Sequence, residues 1–385
     1  MARTALIVGA GIGGLSAALA LKRAGWQVRV FERAASPREL GFGLSLAPNA
    51  IQALAELGVA ETVLSRAFAP PRLLGEVRRM DGTPIKRVDL PVAPVLGGRM
   101  AIALRPALHG ALLDAVGLDE ISAGHDVERF TQTADSVTVH MRHGESVEGD
   151  VLVGADGMWS VIRKALHPSE PPPRASHIVG IRGAVEGVVD RLGGLAGIYY
   201  LGPGVESVIV RASDTGIYWF LSLARELIPP GMTTASAILA HMAPQFEPTF
   251  RAVTFATEDL RLDELVDRSP IPFWTSGLVT LAGDAAHPLL PHTGQGAAQA
   301  IVDGVTLGRL LAGNVRVPDA LRRYEAERRN KATALLHQGR RTAAVMRMRN
   351  PIACAIRERI VAAIPADAIV RLIARINRRA GTDVR

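Results

Sequence analysis

Cysteine and lysine are both scarce in this chain of 385 residues, which has a single cysteine, Cys354. One cysteine excludes an internal disulfide and any mechanism that needs a redox-active cysteine pair. The net charge of +7 comes almost entirely from arginine, much of it near the C-terminus. Such a charge excess favours a solvated helix face, and it leaves an anionic ligand or a membrane surface open. Lysine occurs only at Lys22, Lys86, Lys164 and Lys331.

Long hydrophobic runs are missing as well. No run of 18 apolar residues occurs, and the N-terminus shows no basic, apolar and cleavage-site pattern, so we expect a cytoplasmic protein without a membrane span or a secretory signal. Membrane association is not expected. Aromatic residues make up only 4% of the chain, and no aromatic or zinc pattern supports a nucleic-acid partner. The sequence leaves the oligomeric state open.

The N-terminal residues predict a β-α-β unit. The apolar run "TALIV" at 4–8 leads into "GAGIGG" and a helical segment that ends at Gly25, and the alternating segment "QVRVFER" follows. Parallel strands joined by a crossover helix indicate an α/β domain. Further strands are predicted at 136–141, 150–156 and 277–284. The last two end in an aspartate beside glycine, at the sheet edge where ligands of open α/β folds bind.

The middle of the chain predicts a second domain. Glycine-punctuated alternating segments between about 174 and 270 are typical of an antiparallel sheet, and proline clusters mark the crossings. The expected fold is a Rossmann-like α/β domain with an inserted antiparallel β-sheet substrate domain and C-terminal helices. The predicted boundaries are 1–72, 98–173 and 271–345 for the nucleotide domain, 73–97 and 174–270 for the sheet domain, and 346–385 for a C-terminal helical segment.

A glycine-rich loop and an acid predict dinucleotide binding. Gly9, Gly11 and Gly14 form G-x-G-x-x-G between a strand and a helix, and Glu32 ends the next strand 21 residues after Gly11. The glycines permit a tight turn and close approach of a pyrophosphate, and the carboxylate suits a ribose diol. An acid at Glu32 favours an unphosphorylated ribose, hence FAD or NAD rather than NADP.

Three further segments carry a family resemblance. "VLVGADGMWSVIRKAL" and "LAGDAAHPLLPHTGQG" resemble, in order and spacing, the two later fingerprints of the single-component FAD-dependent aromatic hydroxylases related to para-hydroxybenzoate and salicylate hydroxylases. "AIALRPALHGALL" resembles the R-x-x-L-x-x-x-L segment of that family, with Arg105, Leu108 and Leu112 in register. The resemblance spans 1–165 and 277–310, whereas the middle sheet matches only in general pattern.

The resemblance implies how FAD binds. Asp284 would hydrogen-bond the ribityl chain, and a helix beginning near Gly294 would point N–H groups at the N1/C2 edge of the flavin, where negative charge accumulates on reduction. The loop glycines would be needed because a side chain would collide with the ring. Ala298 departs from the asparagine that relatives often have there. The implied contacts are Gly9, Gly11, Gly14, Glu32, Arg33, Arg105, Asp156, Gly157, Gly283, Asp284, Pro291, Gly294, Gln295 and Gly296.

The reductant has no domain of its own. Asp156 and Gly157 would, by the same resemblance, contact both FAD and a transiently bound nicotinamide. A single G-x-G-x-x-G excludes a second dinucleotide domain, and the lone cysteine excludes disulfide reductases. A nicotinamide donor would therefore have to visit the flavin transiently, or reduced flavin must come from elsewhere. NADH or NADPH is expected as the transient co-substrate, and the sequence does not distinguish them.

A hairpin in the sheet domain supplies the candidate substrate residues. "ESVIVRAS" and "GIYWFLSLA" close near Asp214 and Thr215; if 212 pairs with 217, Arg211 lies opposite Tyr218 on a shared face. Because aromatic-acid hydroxylases of the family hold a substrate carboxylate with an arginine from this sheet, Arg211 is predicted to bind an anionic group and Tyr218 a phenol. The alternative is a cation–aromatic pair on the exterior, and a one-residue register error would remove the pairing.

Two histidines lie in or beside the loop from Pro291 to Gly296, which by the resemblance would lie along the flavin ring and is called the flavin loop. His292 is a candidate proton relay or substrate contact, and His287 is expected to be structural. Asp284, His287 and His292 resemble a metal-ligand set in composition, but the prolines between them deny helical spacing, so no metal is predicted.

The predicted function is an FAD monooxygenase. NAD(P)H would reduce FAD, which would react with O₂ to a flavin C4a-hydroperoxide and hydroxylate an aromatic or heteroaromatic, anionic small molecule. The alternatives are an epoxidase or hydroxylase of a lipophilic or polyketide-like substrate and a non-catalytic flavoprotein. A flavin halogenase is disfavoured because its W-x-W-x-I-P signature is missing.

Overall fold

The computed structural model describes residues 3–36, 42–368 and 371. Its strands are β1 Thr4–Val8, β2 Gln27–Glu32, β3 Gly43–Leu46, β4 Arg72–Arg79, β5 Pro84–Pro91, β6 Ala101–Leu104, β7 Ile121–Ala123, β8 Val127–Gln132, β9 Val137–Met141, β10 Ser146–Gly149, β11 Val151–Gly154, β12 Arg174–Glu186, β13 Gly197–Gly202, β14 Val205–Arg211, β15 Gly216–Ala224, β16 Arg261–Asp267, β17 Thr275–Ser276 and β18 Val279–Leu281. Its helices are α1 Ile12–Arg23, α2 Pro48–Glu56, α3 Ala60–Leu64, α4 Val92–Leu96, α5 Arg105–Val116, α6 Val161–Leu166, α7 Ala235–Met242, α8 Pro248–Phe255, α9 Gly296–Leu311, α10 Val317–Met346 and α11 Pro351–Ala363.

A six-stranded sheet forms the centre of the α/β part, in the order β17-β18-β11-β1-β2-β7. All its neighbouring strands run parallel except β17, which is antiparallel to β18. Helices α1 and α9 pack closely, because a Cβ on Gly304 would lie 2.6 Å from the Ser16 backbone and one on Gly308 2.7 Å from the Ala20 side chain. This contact brings the starts of the two helices together. The α/β fold is therefore confirmed.

A seven-stranded sheet, in the order β16-β12-β15-β14-β13-β4-β5, forms the second part. Its strands come from 72–91 and 174–267, as an inserted sheet requires. The sheet is antiparallel apart from the parallel pair β4 and β13. One face buries Trp219 against Phe250 and Ile238 of α8 and α7. The other face carries a smaller apolar cluster with Leu290. The predicted domain boundaries themselves stay predictions.

Helix α10 connects the two parts. Arg340 on α10 donates to both carboxylate oxygens of Asp267, at 2.9 and 3.0 Å, and Arg174 binds the same carboxylate at 2.8 Å. These two cations hold the pKa of Asp267 below its usual range although burial opposes them. The predicted C-terminal helical segment begins with α11, and its part beyond 368 lies outside the described residues apart from 371. Among the described helices, none has both the length and the apolar character that a bilayer crossing needs.

Candidate functional site

The glycines of the first loop allow three backbone segments to meet. Gly9 has φ 101°, and a Cβ there would lie 2.5 Å from the carbonyl oxygen of Ala155. A Cβ on Gly14 would lie 1.8 Å from the carbonyl oxygen of Gly9, so α1 packs on this loop only with glycine at that position. Gly11 is the N-cap of α1 and supplies no side chain. The first N–H groups of the helix therefore have no side-chain cap, which suits the close approach of a pyrophosphate.

Glu32 ends β2 beside this loop. Its carboxylate accepts hydrogen bonds from the N–H groups of Ala10 and Ala34, both at 2.9 Å. The acid thus braces the glycine loop at the strand end where the ribose is predicted to bind. Its neighbour Arg33 is exposed, and its predicted cofactor role stays a prediction.

The side chain of Asp156 caps a helix. Its carboxylate accepts from the Ser160 hydroxyl at 2.5 Å and from the N–H of Val161 at 2.7 Å, at the start of α6. Burial raises the pKa of Asp156, and these hydrogen bonds oppose that rise. The next residue, Gly157, has φ 77°, which favours glycine. The carboxylate therefore holds the shape of the second loop, and its contact with cofactors stays a prediction.

A buried arginine connects the loop after β11, which is the second loop, to the loop after β18, which is the third. Arg163 on α6 is fully buried and donates to the carbonyl oxygens of Ala285 and Ala286, both at 2.9 Å. Its other nitrogens bind the carboxylate of Glu170 at 2.6 and 2.8 Å. Sequence reasoning missed this residue, because nothing in a six-residue helix distinguishes a buried arginine from a solvated one.

Asp303 on α9 anchors the third loop. Its carboxylate accepts from the N–H of Gly283 at 2.9 Å, from His287 at 2.6 Å and from Arg328 at 2.7 Å. Burial acts to raise the pKa of Asp303, but His287 and Arg328 outweigh it and lower the pKa to about 2. Asp303 was not predicted from the sequence. Its signal was an acid inside the apolar helical run "AIVDGVTL", since a buried acid needs a partner.

The loop from Pro291 leads directly into α9. The helix begins at Gly296, two residues later than predicted. Its N-cap, Gln295, makes no capping hydrogen bond and instead accepts from Asn49 and Gln299 side chains, both at 3.3 Å. Gly294 has φ 62°, so a backbone reason for glycine exists there without a ligand. The start of α9 thus presents the partial positive charge of a helix N-terminus.

These loops from distant parts of the chain lie together. A Cβ on Gly13 would be 3.8 Å from the Cα of Gly283, and a Cβ on Gly9 would be 3.0 Å from the Cα of Asp156. Arg105 opens α5 close to Tyr218: burial raises the pKa of Tyr218, and the charges of Arg182 and Arg105 oppose that rise. Asp284 is exposed in the same region. The structure therefore gathers the predicted cofactor segments at the ends of β1, β11 and β18.

The predicted hairpin register was wrong by one residue. Arg211 pairs with Ile217 and Tyr218 with Val210, so Arg211 and Tyr218 lie on opposite faces of the sheet. The N–H of Ala212 donates to the carbonyl oxygen of Gly216 at 2.8 Å, which closes a three-residue loop instead of the four-residue loop assumed. Antiparallel pairing alternates faces, so a shift of one position separates the two side chains.

Arg211 and Tyr218 consequently have different surroundings. The guanidinium of Arg211 lies 4.5 Å from the Phe68 ring centre, as in the cation–aromatic alternative although with another partner, and donates to the carbonyl oxygen of Asp214 at 3.3 Å. Tyr218 packs against Gly43, and burial raises its pKa to about 12 against the charges of Arg182 and Arg105. Tyr218 is the member of the pair that lies on the sheet face with Leu290.

His292 reaches from the flavin loop to the sheet. Its Nε2 lies 3.3 Å from the Ser222 hydroxyl and 3.7 Å from a carboxylate oxygen of Glu206, whose other oxygen accepts a hydrogen bond from Tyr199. Burial lowers the pKa of His292 to about 4 and raises that of Glu206 to about 7. Sequence reasoning missed Glu206 and Tyr199, since strand alternation indicates a shared face without identifying which face is buried.

A group with the composition of a metal site lies elsewhere. Nε2 of His125 and Nε2 of His143 are 3.3 and 3.4 Å from one carboxylate oxygen of Glu145, beside the small sheet β10-β9-β8; His143 and Glu145 are exposed and His125 is half-buried. His287, from the set weighed in the sequence, binds Asp303 instead. The prediction that the flavin loop holds no metal stays a prediction.

Comparison with known proteins identifies the family of this chain. The family profile described as "FAD binding domain" matches residues 2–339. The chain is 33% identical over 344 residues to 3-hydroxybenzoate 6-hydroxylase 1 of Aquipseudomonas alcaligenes, covering 84% of each protein. It belongs to the FAD-dependent aromatic hydroxylases. It is also 33% identical over 382 residues to aurachin C monooxygenase/isomerase of Stigmatella aurantiaca, covering 95% of each.

Solved structures of this family have the same fold. Klebsiella pneumoniae HpxO, complexed with FAD and uric acid, superposes with a TM-score of 0.89 at 27% identity, covering 98% of this hydroxylase and 97% of that chain. The tetrameric form of 2-methyl-3-hydroxypyridine-5-carboxylic acid oxygenase superposes with a TM-score of 0.77 at 25% identity, covering 89% and 91%. The FAD-binding fold predicted from the glycine loops is thereby confirmed.

The residues of the hydroxylase fit FAD. Two helices, α1 and α9, begin without a side-chain cap beside the three loops, which suits a pyrophosphate and a flavin edge that becomes negative. The Glu32 carboxylate lies beside the glycine loop, where the ribose is predicted to bind. A side chain at Gly9 would collide with the carbonyl oxygen of Ala155, and one at Gly14 would collide with that of Gly9. The chain thus supplies helix N-termini without side-chain caps and a carboxylate beside the glycine loop, which are groups that a dinucleotide binds.

Proposed function

We propose that this FAD- and NAD(P)H-dependent monooxygenase hydroxylates a small aromatic or heteroaromatic molecule that lies on the sheet face formed by Val208, Tyr218 and Phe220. These residues share an apolar cluster with Leu290, which immediately precedes the flavin loop. That contact between loop and sheet is the observation that carries the proposal, because a substrate seated there would lie between the flavin-binding loop and the sheet. Binding sites of this kind are apolar with few polar groups.

The face has polar groups at both ends. Arg182 pairs with Asp263 at 2.9 Å near the Tyr218 end, and Ser222 and Glu206 lie at the other. Tyr218 and Ser222 are four residues apart on β15, or about 13 Å. A substrate of one or two fused rings fits this length between the polar ends.

The residues divide the work of the reaction. FAD, when bound, accepts a hydride from NAD(P)H and activates O₂, which is chemistry no side chain supplies. The N-terminus of α9 stabilises negative charge at the flavin edge, and Asp303, through Gly283, fixes the loop that carries Asp284. Phe220 and Leu290 exclude water from the ring that is hydroxylated. His292 contacts the substrate from the flavin loop.

Oxidation of NADH and NADPH tests this proposal. The FAD-loaded protein is assayed with hydroxylated, neutral and carboxylated aromatics and N-heteroaromatics while hydrogen peroxide is recorded. We expect one class to accelerate oxidation many-fold with little peroxide. Retained FAD with no stimulation by any aromatic would instead indicate a flavoprotein without turnover, and the proposal would be abandoned.

A second candidate is oxygenation of a larger lipophilic aromatic. The relative named aurachin C monooxygenase/isomerase matches over 95% of this chain, more than the hydroxybenzoate relative does. Stimulation by alkylated heteroaromatics, but not by their unsubstituted parents, would favour this candidate.

A further inference from the structure

Glu206 is a buried carboxylate, and one of its oxygens has no hydrogen-bond partner among the described residues. The residue is 7% exposed on β14, and its side chain faces the flavin loop, as does that of its cross-strand neighbour Ser222. One oxygen accepts the hydrogen bond from Tyr199, and the other, Oε2, has no hydrogen-bond partner within the described part of the chain. An ionised carboxylate is costly to bury without partners, so a protein interior rarely contains one by accident.

The neighbouring basic residues, His292 and Arg357, do not neutralise Glu206. His292 lies 3.7 Å from Oε2, which exceeds hydrogen-bond distance, and its Nδ1 is likewise without a partner among the described residues. Arg357 on α11 favours the ionised form of Glu206, but its guanidinium donates to the carbonyl oxygens of Gly202 and Val345. Two hydrogen-bonding atoms, Oε2 of Glu206 and Nδ1 of His292, thus stay available beside the face of Phe220.

We propose that Glu206, positioned by the hydrogen bond from Tyr199, is the proton acceptor for an O–H or N–H group on the ring of the substrate. This inference rests on the proposed function, which seats that ring on the face of Phe220. The ligand class is a neutral aromatic or heteroaromatic with an acidic ring hydroxyl or ring N–H, such as a phenol, a hydroxyquinoline or a lactam. A substrate carboxylate at this end would meet a like charge and be rejected.

The proton transfer balances within the site. The substrate O–H or N–H bond breaks, its electron pair stays on the ring system, and the proton bonds to Oε2 of Glu206. The resulting anion is richer in electrons at its ring carbons, as electrophilic oxygen transfer requires. Glu206 returns the proton when the product anion is released. Burial keeps the pKa of the carboxyl at about 7, close to that of an efficient acid–base group at neutral pH.

Ligand binding to the FAD-loaded protein tests the inference without turnover. Perturbation of the flavin absorbance is titrated with 4-hydroxyquinoline and with 4-methoxyquinoline, which lacks the acidic proton, between pH 5 and 9. We expect the hydroxy compound to bind about 10- to 100-fold more tightly, with an acid limb near pH 7 in its binding profile. In Glu206→Gln we expect the loss of binding at acid pH to disappear. The hydroxy compound should then bind less than about threefold more tightly than the methoxy compound.

Two further variants isolate the carboxylate. Tyr199→Phe removes a hydrogen bond that favours the ionised form, so its acid limb moves to higher pH. Glu264→Gln alters an exposed carboxylate on β16 of the same sheet and leaves both the preference and the limb unchanged. A limb that persists in Glu206→Gln, or that does not move in Tyr199→Phe, would overturn the assignment.

The results also separate this inference from the proposed function. If other aromatics stimulate NAD(P)H oxidation with little peroxide while the two quinolines bind equally, the hydroxylase stands and the role of Glu206 is wrong. If no aromatic stimulates oxidation or perturbs the flavin in the unmodified protein, the proposed function fails, and the inference fails with it.

Discussion

The nucleotide loops and the sheet face opposite them treat buried charge differently. Asp303 and Arg163, near the loops, each bind several partners that lie within the protein. Glu206 on the sheet face is comparably buried, yet one of its oxygens has no hydrogen-bond partner in the described ranges. Charge that the protein satisfies itself builds a scaffold, whereas charge left unsatisfied is available to a ligand.

The largest effect is expected where the buried charge has all its partners within the protein, at Asp303. Asp303→Asn leaves Arg328 buried without its counter-charge and weakens the hold on Gly283, so we expect a loss of about 3–5 kcal/mol in the free energy of unfolding and release of FAD. Urea unfolding and flavin absorbance after gel filtration measure both. Asp319→Asn, an exposed ion-pair residue on α10, is the control and changes stability by less than about 1 kcal/mol. Equal losses in the two variants would contradict the scaffold role.

Close packing of the first loop predicts the next effect. Gly14→Ala places a methyl group against the carbonyl oxygen of Gly9, so we expect about 1–3 kcal/mol of destabilisation and weaker FAD retention. Gly110→Ala on α5 is the matched control, because a Cβ there meets nothing within 4 Å and a helical alanine stabilises. Should Gly14→Ala keep FAD as well as Gly110→Ala does, the loop is looser than its geometry indicates.

Acid removes the contribution that ionised Asp303 makes to stability. The pKa of Asp303 is lowered from its usual 3.8 to about 2, so its contribution to stability is complete above about pH 4 and is lost as the pH falls toward 2. The shift corresponds to roughly 2 kcal/mol. Urea unfolding at pH 6, 4 and 3 should show the stability advantage over Asp303→Asn shrinking below pH 4. An advantage that stays constant to pH 3 would place the stabilisation in packing instead.

The smallest effect distinguishes the two faces of the sheet. Phe220→Ala removes an apolar contact of the proposed substrate face, so ligand affinity should fall about tenfold and peroxide release should rise. Arg211→Met changes the opposite face, and we expect affinity within about twofold of the unmodified protein. An equal loss in Arg211→Met would restore the carboxylate-anchor hypothesis.

Local patterns in the sequence predicted the glycine loop, because Gly9 and Gly14 of G-x-G-x-x-G are close in sequence and lie in contact. Asp303 and Arg163 were not predictable in this way. The partners of Asp303 lie 16 to 25 residues away along the chain, and the loop carbonyls that Arg163 binds lie 122 and 123 residues away. The position of Arg211 depended on whether a turn has three residues or four. Turn length and long-range pairing are settled by packing, which periodicity does not describe.

The inserted sheet domain also has a consequence for biosynthesis. Strand β11 ends at Gly154 and its parallel neighbour β18 starts at Val279, so about 125 residues must leave the ribosome between them. At typical elongation rates this delay is about 6–25 s. The seven-stranded sheet is complete at Asp267, before its host domain can close. A nascent chain therefore holds an unfinished nucleotide domain beside a finished sheet, and chaperones would meet the exposed edge of β11 during that interval.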